Sequence, residues 1–140
     1  MRHPLHPVLV HFPVSCWSLA VLTDIANLFF GELSWRWSNP LLLVGCGTGV
    51  VAMLAGFIEF MRVPEGAALR DAYWHMGLMA LALVLFTLRL LLGIEQFQVR
   101  APEPVLLLIS GVGFLCLLVG GWFGGRLVYH HGVGQDNKTR

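Results

Sequence analysis

Residues 104–129 read PVLLLISGVGFLCLLVGGWFGGRLVY, an apolar stretch whose one charge, Arg126, stands three residues from its end. At about 1.5 Å per residue, a helix of this length spans the roughly 30 Å hydrocarbon core of a bilayer. Working back along the chain, three more stretches have the same character: Val8–Phe30, Pro40–Met61 and Tyr73–Ile94. The polar segments between them are short, GELSWRWSN, RVPEGAALRDA and EQFQVRAPE. Short connections favour antiparallel neighbours, so the expected fold is all-α, an integral membrane four-helix up-down bundle forming one domain over residues 1–140. Trp35, Trp37, Tyr73, Trp74 and Tyr129 fall at span ends, where an aromatic belt belongs.

Composition agrees. Of 140 residues, 56% are hydrophobic and 12% charged, against about 25% charged in a soluble domain. Mean hydropathy is +0.72. The net charge of +1 offers no basic field for nucleic acid. Cys16, Cys46 and Cys116 are scattered through apolar runs and read as small buried residues. There is no CxxCH, which excludes covalent c-type haem. The first span is too long for a signal peptide, carries Asp24 and lacks a small-x-small cleavage site, so it reads as a retained anchor.

Four spans put both termini on one side of the membrane. That side carries Arg2, Arg62, Arg70, Arg126, Lys138 and Arg140; the other carries Arg36 and Arg100, with Arg89 inside a span. The positive-inside rule places both termini in the cytoplasm of a cell whose inner membrane holds the protein.

All six histidines fall toward the terminus-bearing side: His3, His6, His11, His75, His130 and His131. His11 lies about 12 Å, and His75 and Glu59 about 13 Å, from the midplane at the helical rise. Helical periodicity puts His75, Met79, Ala82, Phe86, Arg89 and Gly93 on one stripe of the third span. Gly45, Gly49, Ala52, Gly56 and Glu59 share a stripe of the second, and Gly113, Gly120 and Gly124 one of the fourth. GGWFGG supplies two overlapping GxxxG pairs, Gly120/Gly124 and Gly121/Gly125. Such stripes allow close helix packing, or clear room for a planar cofactor.

Asp24 and Arg89 both lie about 8 Å from the midplane on the opposite side, and intramembrane charges pair or face a cavity. The expected contact is an Asp24–Arg89 ion pair between the first and third spans. Pro13 removes an N–H and frees the carbonyl of Leu9, so the chain around His11 is expected to bend.

Three features together are distinctive: the opening HPLHPVLVHFP, then Asp24 and His75, then the closing GGWFGGRLVYHHGVG. They resemble the domain-of-unknown-function 2231 family of four-span bacterial membrane proteins, over nearly the whole chain. The family pattern maps onto His3, Pro4, His11, Pro13, Asp24, His75, Gly124, Gly125, Tyr129, His131 and Gly132, while His130 stands where the family varies. Some relatives carry Rieske or cytochrome c modules, so the resemblance implies a redox setting.

The residues leave three readings open. The first is non-covalent haem b electron transfer, with His11 and His75 as axial ligands on facing helices. In it His6 and His131 stand by as second-site ligands and Met79 as an alternative axial ligand, while Glu59 tunes the centre and Arg62, Arg70 or Arg126 meet propionates. The second is a metal-binding or transport protein using His11, His75 and Glu59, with His131 completing the set. The third is a structural or assembly subunit of a larger membrane complex, with interfacial histidines. A quinone pocket beside the histidines, a homo-oligomer and a Rieske or cytochrome c partner all remain compatible. With no GxSxG, P-loop or Rossmann fingerprint, the chain reads as an electron-transfer or binding subunit rather than an independent enzyme.

Overall fold

The computed structural model describes residues 6–31, 36–95, 98–99 and 103–134. His3, Pro4, Arg2, Trp35, Arg100, Lys138 and Arg140 lie outside the described residues. Five helices follow in order: α1 (His6–Leu9), α2 (His11–Phe30), α3 (Ser38–Phe60), α4 (Ala67–Leu92) and α5 (Pro104–Tyr129). A two-residue antiparallel ribbon, β1 (Ile94–Glu95) with β2 (Gln98–Val99), bridges α4 and α5, pairing Ile94 with Val99 and Glu95 with Gln98. The fold is an all-α up-down bundle. α1 and α2 together, α3, α4 and α5 are each long and apolar enough to cross a membrane.

The helix ends follow local chemistry. Pro104 stands in the first turn of α5, where a missing N–H costs nothing. Gly31 follows α2 with φ of +71°, and Gly66 precedes α4 with φ of +112°, both in the left-handed half of backbone space that favours glycine. At the start of the first span, Pro13 has no N–H for the Leu9 carbonyl, and the helix breaks at Val10 into α1 and α2. The Val10 N–H still bonds the His6 carbonyl at 3.0 Å and the Val14 N–H bonds the Val10 carbonyl at 3.1 Å, so the two pieces meet without a loop.

α4 begins six residues before the expected start at Tyr73, and it takes in Arg70 and Asp71. Their charge reads as loop in isolation. In the fold Asp71 is buried, and Arg126 and His131 neutralise it, so the helix extends through it.

The bundle is two hairpins side by side. α2 packs closely on α3, and α4 more closely still on α5; contacts from α3 to α4 and from α2 to α5 are sparser. Between membrane helices, packing rather than water exclusion drives association, and small residues let backbones approach. The Trp17 indole fills the space over Gly45 and Gly49, and Phe86 lies over Gly113. The two rings stack at 5.0 Å across the centre of the bundle, among Ala20, Val21, Leu42, Cys46, Ala82 and Leu117. Outside this core the helices present exposed Leu, Val, Ile and Phe side chains all round, as a lipid-facing surface does.

Candidate functional site

Two polar clusters sit inside the bundle, one at each end. At the end where α2 finishes and α3 begins, Arg89 of α4 lies in the centre, 1% exposed. Its Nε donates to Asp24 Oδ2 at 3.2 Å and its Nη2 to Asp24 Oδ1 at 2.9 Å. The same guanidinium donates to Asn39 Oδ1 at 3.1 Å and Ser38 Oγ at 3.3 Å. Ser110 Oγ donates to Asp24 Oδ2 at 2.9 Å, and Asn39 Nδ2 donates to the Gly93 carbonyl at 3.3 Å. The structure thus brings Asp24 and Arg89 together and adds three partners that hydropathy does not mark. Ser38 and Asn39 open α3 and Ser110 lies in α5, so Arg89 bonds α2 and α3 directly and is linked to α5 through Asp24. The rigid fork of guanidinium donors suits this multiple role. Packing accompanies the bonding: a side chain at Gly93 would collide with Arg89.

The opposite end carries the histidines. His6 of α1 and His75 of α4 face each other with ring centroids 6.1 Å apart and planes 82° apart. Each ring is held in the same way. His6 Nδ1–H donates to the Ala52 carbonyl at 2.8 Å, with the ring lying over Gly56. His75 Nδ1–H donates to the Gly120 carbonyl at 2.8 Å, with the ring lying over Gly124. In both cases the acceptor is residue i and the bare position is residue i+4. A side chain at i+4 covers the flank of the carbonyl at i; glycine leaves it open to a second donor. At Gly56 a Cβ would stand 2.9 Å from His6 Cε1, and at Gly124 2.9 Å from His75 Cε1. A carbonyl only accepts, so Nδ1 carries the proton, which leaves Nε2 as the nitrogen with a lone pair whenever the ring is neutral. Because His6 is tied to α3 and His75 to α5, the two rings meet where the two hairpins join. Glu59 Oε1 accepts the main-chain N–H of His6 at 3.2 Å, which anchors the start of α1.

The other expected site residues fall as follows. His11 does not join His75: it is exposed, and its Nδ1 turns back to the Val8 carbonyl at 3.2 Å. The helix starts earlier than expected, with Pro7 in its first turn, and this carries His6 rather than His11 to the inner face. Met79 packs its methyl against Gly120 in the core. Arg62 and Arg70 are exposed at the histidine end. Arg126 Nη2 pairs with Asp71 Oδ2 at 3.1 Å, and His131 Nε2–H donates to the same oxygen at 2.9 Å. His130 is exposed and lies against the His131 ring, 4.8 Å between centroids. The glycine stripes are not open slots: Trp17, Phe86, Met79, His6 and His75 occupy them. Asp71 is the residue that sequence reading passed over. Its position one turn before His75 on the same helical face is the signal that was available.

Among the described residues no group of three or more His, Cys, Asp or Glu side chains is placed to hold a metal ion. No curated protein and no solved structure matches the chain. The family model described as "Predicted membrane protein (DUF2231)" matches residues 2–137. That match covers both histidine-bearing ends and all four spans, and the chain belongs to this family of membrane proteins.

Proposed function

We propose that this protein is a membrane electron carrier that binds non-covalent haem b where its two hairpins meet, with His6 and His75 as axial ligands. The observation that carries the reading is the pair of imidazoles, each with Nδ1–H committed to a main-chain carbonyl. That bond orients a ligating histidine and leaves Nε2 as the donor atom. Imidazole nitrogen sits about 2.0–2.1 Å from a first-row metal, so two rings on opposite sides of one metal would have centroids about 6 Å apart. The observed separation is 6.1 Å.

The donor count favours haem over a bare ion. Zinc or iron alone draws on three or four protein ligands, and among the described residues a pair is brought together here. Glu59, the third member of the expected metal set, is engaged by the His6 main chain. Haem iron needs only two axial ligands, because its macrocycle supplies the other four. When bound, haem would supply one-electron iron chemistry. The chain's own residues do the rest: Gly56 and Gly124 seat the rings, Ala52 and Gly120 fix the tautomer, and Glu59 holds α1 in place. Rieske, cytochrome c or quinone partners fit the redox setting implied by the family resemblance, with both termini cytoplasmic in an inner membrane.

The test is a visible spectrum of detergent-purified protein made with ample haem, oxidised and then dithionite-reduced, with a pyridine haemochrome assay. The expected result is a Soret band and sharp reduced α and β bands. These vanish in His6→Ala and His75→Ala and survive in His11→Ala. A featureless wild-type spectrum overturns the reading, as does a spectrum indifferent to His6.

A further inference from the structure

The two GxxxG pairs of α5 point to different sides. Gly120 and Gly124 face inward, under Met79 and His75. A Cβ at Gly121 would meet nothing within 4 Å, and one at Gly125 only Tyr129 Cδ2, at 4.0 Å. Beside this bare strip an open groove of about 380 Å³ is lined by Trp122, Gly125, Arg126, Tyr129 and His130. It runs to the last residue of the span, the level at which a membrane helix meets headgroups. Trp122 and Tyr129 are 58% and 88% exposed along it.

Arg126 is what gives the groove its chemistry. Its guanidinium carbon lies 4.9 Å over the Trp122 ring, and its side chain is 33% exposed. One amino group, Nη2, is spent on Asp71, which is 2% exposed on the bundle side. Among the described residues no second acceptor takes up the guanidinium, which lines the groove. Arg70, exposed and next to Asp71 in α4, adds a second cation at this end of the bundle. The result is a cation at headgroup depth, flattened on an indole, above a helix surface stripped of side chains.

We propose that this groove binds one anionic phospholipid, its phosphate against Arg126 and His130 and an acyl chain along Gly125 and Gly121. Charge complementarity and depth select the headgroup. The bare glycines admit the chain. The site faces lipid, not the histidine pair, and stands whether or not haem is bound.

The experiment titrates delipidated protein in neutral detergent with phosphatidylglycerol or phosphatidylcholine carrying brominated acyl chains. Tryptophan quenching is read, and a Trp122→Phe variant isolates the Trp122 signal. A basic residue near the surface contributes about a five-fold preference for an anionic lipid, so phosphatidylglycerol quenches Trp122 at about five-fold lower mole fraction. Arg126→Gln abolishes that preference. Gly125→Leu fills the groove without touching the Asp71 contact and removes Trp122 quenching by both lipids, which keeps the proposal testable if Arg126→Gln does not fold. Equal quenching by the two lipids in the wild type overturns it. So does unchanged quenching in Gly125→Leu, or a Gly125→Cys variant that cross-links to a second copy of the chain through this face.

Discussion

Replacing Asp24 with leucine strands the Arg89 guanidinium at 1% exposure without its two carboxylate bonds. Removing one partner of a buried ion pair costs about 3–5 kcal/mol, because the survivor is an uncompensated charge. Arg89→Leu strands Asp24 in the same way, with the Ser110 hydroxyl as its remaining donor. The double replacement leaves no buried charge in the cluster. Ser110 and Ser38 are then free to turn to carbonyls of their own helices, and Asn39 keeps its bond to the Gly93 carbonyl. The residual cost is then about 1–3 kcal/mol, that of partly unsatisfied neutral groups. The two single costs sum to about 8 kcal/mol, so the double-mutant cycle carries a coupling of at least about 3 kcal/mol. Reversible unfolding in mixed micelles with increasing sodium dodecyl sulfate, followed by far-ultraviolet circular dichroism, measures all four corners. Additivity within about 0.5 kcal/mol refutes the reasoning, because independent sites add to that tolerance.

Other outcomes follow from the same geometry. Arg89→Lys keeps the charge that compensates Asp24 but lacks the planar fork that also reaches Asn39 and Ser38, so thermal unfolding in detergent shows a loss between wild type and Arg89→Leu. Gly124→Ala pushes the His75 ring off the Gly120 carbonyl; haem titration should show affinity falling about 10–100-fold, as when an orienting partner of a ligand is lost. Gly111→Ala is its control, because a Cβ there meets nothing within 4 Å; affinity stays unchanged and stability does not fall, Ala being the better helix former by up to about 1 kcal/mol. Gly45→Leu drives a side chain into the Trp17 indole, whose Cδ1 stands 2.7 Å from the Cβ position. Overpacking of this kind costs about 1–3 kcal/mol, read in the same micelle assay.

Hydropathy and length alone determined the four spans, since the bilayer imposes a minimum apolar run on any helix that crosses it. Helical periodicity placed the inward stripes of the second, third and fourth spans, and the cost of lone charges in hydrocarbon paired Asp24 with Arg89. These are properties of single helices and of the solvent around them. What only the tertiary structure decided is which side chains share a place. It put His6 rather than His11 opposite His75, because the helix begins at His6, two residues before the expected Val8, and His6 falls on its inner face. It drew Asp71 into α4, because Arg126 and His131 from the end of another helix remove the penalty that made the segment read as loop. It filled the glycine stripes with the protein's own side chains, and it packed one GxxxG pair inward while leaving the other bare. A sequence pattern carries the phase of each helix but not its rotation and depth against the others, and the site is made by those two quantities.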